Sequence, residues 1–176
     1  MSVIILLGNK SGDSIMASVP IRTLPDPILR QKAKRVKTAD SSIHKLISDM
    51  IETMQMAPGV GLAAPQIGIP LRVIVLGVPE EEEIALINPE IIRQSGEQSV
   101  TEGCLSVPGY YGHITRAESV TVKGRNPAGK EIRIKATGLL SQALQHEIDH
   151  LNGILYIDHL ESMDELHKVE AAENQL

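Results

Sequence analysis

Gly138-Leu139-Leu140-Ser141-Gln142-Ala143-Leu144-Gln145-His146-Glu147-Ile148-Asp149-His150-Leu151-Asn152 is the stretch on which the reading of this chain turns. Leu139, Leu140, Ala143, Leu144, Ile148 and Leu151 set apolar side chains nearly all round a helix over 138–152, and such a helix is usually central and buried. Thr137 can cap its start, and Gly153 suits a left-handed exit. The same helix carries His146-Glu147-Ile148-Asp149-His150. Positions i and i+4 share a face about 6 Å apart, so both imidazoles can reach one cation. The helical turn rotates Glu147 about 100° from His146, where it can flank a cation as a general base without ligating it. Unpaired polar groups are costly in an apolar setting, and a divalent ion would partner all three. With 6 His and 15 Glu in 176 residues, the pattern arises by chance about 0.02 times per chain.

A catalytic ion of this type takes three protein ligands and keeps one position open. One zinc-peptidase pattern continues with a Gly, met by Gly153, and then a third His, where this chain has Tyr156. Another pattern uses a downstream Glu, for which Glu161, Glu165 and Glu170 are available. The remaining candidate is Cys104, in Glu102-Gly103-Cys104-Leu105-Ser106, although a lone buried cysteine often serves as a small hydrophobe.

Working outward, Ile43, Leu46, Ile47, Met50, Ile51 and Met54 follow helical spacing over 40–56. Asp40 or Ser41 can cap that helix and Pro58-Gly59 ends it. Val73-Ile74-Val75-Leu76 reads as a buried strand, Glu80 to Glu83 as a solvated turn, and Ile84-Ala85-Leu86-Ile87 as a returning strand. Val120 and Val122, then Ile132 and Ile134, alternate with polar residues about the turn Asn126-Pro127-Ala128-Gly129, which predicts an antiparallel hairpin. A short final helix is expected from Ser162, with Glu165 closing a capping box. The class is α+β, with antiparallel sheets packed around a central buried helix.

Composition narrows the function. The net charge of −5 argues against a DNA-binding role, and three Tyr with no Phe or Trp leave little for base stacking. One cysteine excludes an internal disulfide framework. No apolar run reaches the roughly 18 residues a membrane span needs. Val3 to Leu7 is too short, and too poor in basic flanks, to read as a secretory signal. A cytoplasmic monomer is therefore expected. Residues 1–18 read as an N-terminal extension and 19–176 as one catalytic metallohydrolase domain. Six basic residues between Arg22 and Lys37 form either a solvated face or a weak contact for a polyanion such as ribosomal RNA.

Three separated motifs resemble the peptide deformylase family: Gly59-Val60-Gly61-Leu62-Ala63-Ala64-Pro65-Gln66, Glu102-Gly103-Cys104-Leu105-Ser106, and Gln145-His146-Glu147-Ile148-Asp149-His150. Pro25-Asp26-Pro27-Ile28-Leu29-Arg30 is similar to the family's opening segment. The resemblance implies that Cys104, His146 and His150 hold one divalent ion, Fe²⁺ in many members, with Zn²⁺ and Ni²⁺ also accepted. It implies hydrolysis of the formyl group from N-formylmethionyl peptides. Glu147 would be the acid–base group, with the Gln66 amide and the Leu105 backbone N–H as oxyanion donors. Val60, Gly61, Gly103, Leu139 and Ala143 would bind substrate. Two departures from the family pattern bear on that pocket: Gln142 stands where many members have an apolar residue, and Tyr111 replaces a rim Arg. A C-terminal basic docking helix is not expected, since residues 161–176 hold five acidic residues and one Lys, Lys168. The competing readings are a zincin-type metallopeptidase with a different third ligand, and a non-catalytic metal- or peptide-binding module.

Overall fold

The computed structural model describes residues 19–169; the proposed extension over 1–18 and Glu170 lie outside that range. The fold is α+β, with two α-helices among the described residues, α1 (Ser41–Met56) and α2 (Gly138–Leu151). Five strands form one antiparallel sheet: β1 (Gly61–Ala63), β2 (Val73–Leu76), β3 (Ile84–Ser95), β6 (Ser119–Arg125) and β7 (Glu131–Thr137), in the order β1-β2-β3-β6-β7. A second sheet pairs β4 (Gln98–Cys104), β5 (Val107–Arg116) and β8 (Leu166–Lys168), in that order.

At β2 the larger sheet is covered on both faces. Successive side chains on a strand point to opposite sides. Val73 and Val75 join Ile43, Ile47, Met50 and Met54 of α1 in one core cluster. Ile74 and Leu76 join Ala143, Leu144, Ile148 and Leu151 of α2 in another. Four consecutive apolar residues thus serve two helices. Leu86, Val120, Val122 and Ala136 of β3, β6 and β7 join the same α2 cluster, with Ala33, Ala63 and Val78. The β6–β7 hairpin pairs Val122 with Ile134 and Val120 with Ala136, as the alternation predicts.

The ends of α2 are fixed by different devices. Thr137 occupies the N-cap position but makes no side-chain cap hydrogen bond, contrary to expectation. At the far end, Arg72 Nη1 donates to Leu151 O at 3.1 Å and to Asn152 Oδ1 at 2.9 Å, and Ala33 N donates to Leu151 O at 2.9 Å. Two of these donors satisfy the Leu151 carbonyl, one of those a helix leaves unpaired, and the guanidinium suits the negative helix end. Gly153 then turns away at φ 75°, and a Cβ there would lie 2.6 Å from Arg30 O. Gly153→Ala should therefore destabilise the fold by about 2 kcal/mol or more, through left-handed strain and backbone collision. Urea unfolding would show this as a lowered midpoint with an unchanged slope.

One open choice is settled and two expectations change. At α1, Asp40 and not Ser41 is the cap: its Oδ1 accepts from Ser42 N at 3.0 Å and Ile43 N at 3.3 Å. The returning strand at Ile84 continues to Ser95, with register shifts beyond Ile87. The helix expected from Ser162 is a single 3-10 turn, Met163–Glu165, followed at once by β8. Ser162 caps that turn through Asp164 N, but Glu165 accepts from Glu161 N, so no reciprocal capping box forms. Leu166 to Lys168 instead pair with Gly112 to Tyr110, completing the edge of β5.

Candidate metal centre

Strand β4 alternates inward and outward, and its inward positions include Glu102 and Cys104. Helix α2 faces them with His146 and His150, one turn apart. A ligand atom from each of Cys104, His146 and His150 lies within 4.8 Å of the other two, and all three residues are buried. Cys104 Sγ is 3.3 Å from His150 Nε2. One soft sulfur and two imidazole nitrogens converging at this range form a donor set that fits a divalent transition ion. The sequence left the third candidate open, and the fold places Cys104 beside the two histidines. Glu161 is exposed, and Glu165 caps Glu161 N; neither joins the cluster.

His146 is oriented from behind. Its Nδ1 donates to Glu102 Oε2 at 2.7 Å, which leaves Nε2 toward the centre. Glu102, fully buried, also accepts from Arg116 Nε and Nη2, both at 2.9 Å. Burial would raise the Glu102 pKa, but His146 and Arg116 outweigh it and hold the carboxyl at about 2. Burial likewise opposes charge on His146, and Glu102 with Cys104 pulls its pKa well above the usual value. His150, buried and facing His146, is held well below it. Arg116 reaches on to Asp149 Oδ2 at 2.6 Å, which also meets His159 Nε2 at 2.8 Å. This relay went unread in the sequence, although Glu102 stands two residues before Cys104 and so shares its face.

Arg116→Met would leave Glu102 and Asp149 without their shared cation. Breaking a buried pair from one side costs about 3–5 kcal/mol, and denaturant unfolding should show a loss of that size. The acid limb should change as well. A carboxyl held at about 2 when folded and near 4.5 when unfolded stabilises the wild type above about pH 4.5, and that contribution disappears as pH falls toward 2. In Arg116→Met the acid unfolding midpoint should move to higher pH.

Glu147 lines the same cleft as Cys104 and His146, buried, with Oε2 unpartnered by any protein group among the described residues. Burial pushes its carboxyl up to about 7, with Glu102 and Asp149 adding to the rise and His146 opposing it. Gly61 explains the room for it: a Cβ there would lie 2.4 Å from Glu147 Oε1. Gln66 is locked end for end. Its Oε1 accepts from Ala63 N at 2.8 Å, so Nε2 faces Ser106 Oγ at 3.2 Å and Cys104 Sγ at 3.6 Å. A cleft of about 30 Å³ is lined by Val60, Gly61, Gln66, Gly103, Leu105 and Ala143 together with Cys104, His146 and Glu147. That space holds about a water or two. Leu139, expected in the same pocket, does not line the cleft; it packs half-buried against the α2 core cluster. Gln142 is buried and donates to Thr101 O at 3.1 Å, so its polar group is satisfied by backbone. Tyr111 stands on β5 against His113 and His167.

Known proteins resemble this chain over most of its length. The family model described as polypeptide deformylase matches residues 18–166. A peptide deformylase of Dehalococcoides mccartyi strain BAV1 is 58% identical over 155 residues, covering 88% of this chain and 93% of its own length. The crystal structure of a peptide deformylase from Legionella pneumophila superposes with a TM-score of 0.81 at 50% identity, over 85% of this chain and 89% of that one. A Met-Ala-Ser-bound peptide deformylase from Acinetobacter baumannii gives 0.79 at 34% identity, over 82% and 99%.

Proposed function

Because this chain belongs to the polypeptide deformylase family, and so is a metal-dependent hydrolase that removes formyl groups, we propose that α2 is its central catalytic helix and that the centre described above performs the reaction. One observation carries the assignment of residues: the approach of Cys104, His146 and His150 to within 4.8 Å, beside the buried, unpartnered Glu147. Cys104, His146 and His150 hold one divalent ion. We take Fe²⁺ as the physiological ion, since a mixed sulfur and imidazole set accepts it along with Zn²⁺ and Ni²⁺. When bound, such an ion supplies Lewis acidity, polarising a carbonyl oxygen and making a water acidic near neutral pH.

The chain's own groups do the rest. Glu147 takes a proton from the attacking water and returns it to the departing amine as the formyl C–N bond breaks. The products are formate and a peptide with a free methionyl amine. Gln66 Nε2 and the Leu105 backbone N–H donate to the oxygen that becomes negative, and each fixed donor of this kind is worth about 3 kcal/mol. Val60 and Gly61 offer main chain for strand-like pairing with the peptide, and Gly103 and Ala143 help shape its cleft. The Met-Ala-Ser complex of the Acinetobacter relative supports a formylmethionyl peptide as substrate.

Nascent chains in the cytoplasm are the natural source of such peptides. The basic stretch offers exposed Lys32, Lys34, Arg35 and Lys37 for transient contact with the ribosome. In this reading 19–176 is one catalytic domain acting as a monomer. The test is formate release from formyl-Met-Ala-Ser by anaerobically purified, iron-loaded protein. Rapid release is expected; a folded, iron-loaded sample that releases none would refute the assignment.

A further inference from the structure

The outer face of the smaller sheet carries two histidines, His113 and His167, to which the proposed reaction assigns no role. Tyr111 of β5 pairs across with His167 of β8, and His113 pairs with Thr101 of β4. Residues two apart on a strand share a face, so these four side chains stand together. The His113 and His167 ring centroids are 5.6 Å apart with their planes at 60°. Tyr111 packs on both rings, at 6.0 Å and 5.3 Å. Two imidazoles on one ion, with nitrogen–metal bonds of about 2.1 Å and a tetrahedral angle, set their centroids about 5.3 Å apart. His113 Nδ1 lies 3.0 Å from Thr101 Oγ1. With Nδ1–H donating to that hydroxyl, Nε2 keeps its lone pair, the arrangement that orients metal-binding histidines. The His167 ring has no hydrogen-bond partner among the described residues, and neither imidazole meets a carboxylate. His113 is exposed and His167 half-buried, so an ion can arrive from solvent.

We propose that His113 and His167 chelate a divalent transition ion that favours imidazole (Zn²⁺, Ni²⁺ or Cu²⁺) at a second, solvent-facing site that laces β8 to β5. Imidazole suits these ions, whereas Mg²⁺ and Ca²⁺ prefer oxygen. Water fills the remaining coordination positions, so this site is weaker than the three-ligand centre. β8 is an edge strand of three residues, so a cross-link there adds most to its attachment. Chelation also makes the second imidazole's binding intramolecular, a gain of about 10²-fold or more over a single imidazole. His44, exposed on α1 with Nε2 donating to Pro127 O at 2.8 Å, supplies a single-imidazole reference through Nδ1 within the same chain.

The test titrates Zn²⁺ into full-length protein already holding one Zn²⁺ per chain, and follows the ring nitrogen NMR shifts of each histidine. His113 and His167 should move together and saturate with one further ion, at about 100-fold lower free Zn²⁺ than His44. In His113→Asn, a change at an exposed strand position, His167 should fall back to the affinity of His44. The proposal is overturned if His113 and His167 respond only where His44 does, or if His167 in His113→Asn binds as tightly as before. Because the readout is the two rings themselves, failure here is distinct from failure of the formate assay.

Discussion

Glu147→Gln should give a folded protein with its ion in place that releases formate about 10³-fold more slowly, the scale of a lost general acid–base group. The amide matches the carboxylate in shape, so the close packing against Gly61 is preserved. What it loses is the ability to accept a proton from water and hand it to the amine. The effect should fall on kcat, with KM little changed, because Glu147 acts on the reacting atoms and not on the peptide's grip. Metal content by elemental analysis should equal that of the wild type. Activity within about tenfold of the wild type would move the proton transfer to another group.

Cys104→Ser should abolish activity by a different route. Cys104 supplies the one sulfur of the cluster and is buried within 3.3 Å of His150 Nε2. A serine hydroxyl is a poor replacement, since it stays protonated and is a harder donor. Changes in groups that merely orient metal ligands already cost 10–100-fold in affinity, so loss of a ligand should weaken ion binding by about 100-fold or more. Activity should fall in step with metal content, which separates this variant from Glu147→Gln. A zincin-type metallopeptidase would draw its third ligand from beyond α2 and would tolerate Cys104→Ser.

The sequence made some of this legible because periodicity carries it. Helices α1 and α2 follow from apolar residues at helical spacing, and the β6–β7 hairpin from strict alternation about Asn126 to Gly129. His146, Glu147 and His150 needed only the geometry of one helical turn. Cys104 was different. Spacing alone left it one candidate beside Glu161, Glu165 and Glu170, because its approach to α2 depends on the fold of β4 and not on local pattern. The β4–β5 hairpin has no clear alternation to announce it: Ser99, Thr101 and Glu102 dilute one strand, and Pro108 and Gly109 interrupt the other. Ser162 and Glu165 carried a helix signal, and the open edge of β5 overrode it by recruiting Leu166 to Lys168. The Glu102–Arg116–Asp149 relay is a tertiary fact, joining residues 14 and 33 positions apart.

Everything in the chemistry rests on a loop-proximal sulfur and two helix imidazoles sharing one ion. X-ray absorption at the metal edge of protein loaded with a single equivalent of Zn²⁺ tests this most directly. The account predicts a shell with one sulfur at about 2.3 Å and two imidazole nitrogens at about 2.0–2.1 Å. A shell of nitrogen and oxygen alone, with no sulfur scatterer, would contradict it.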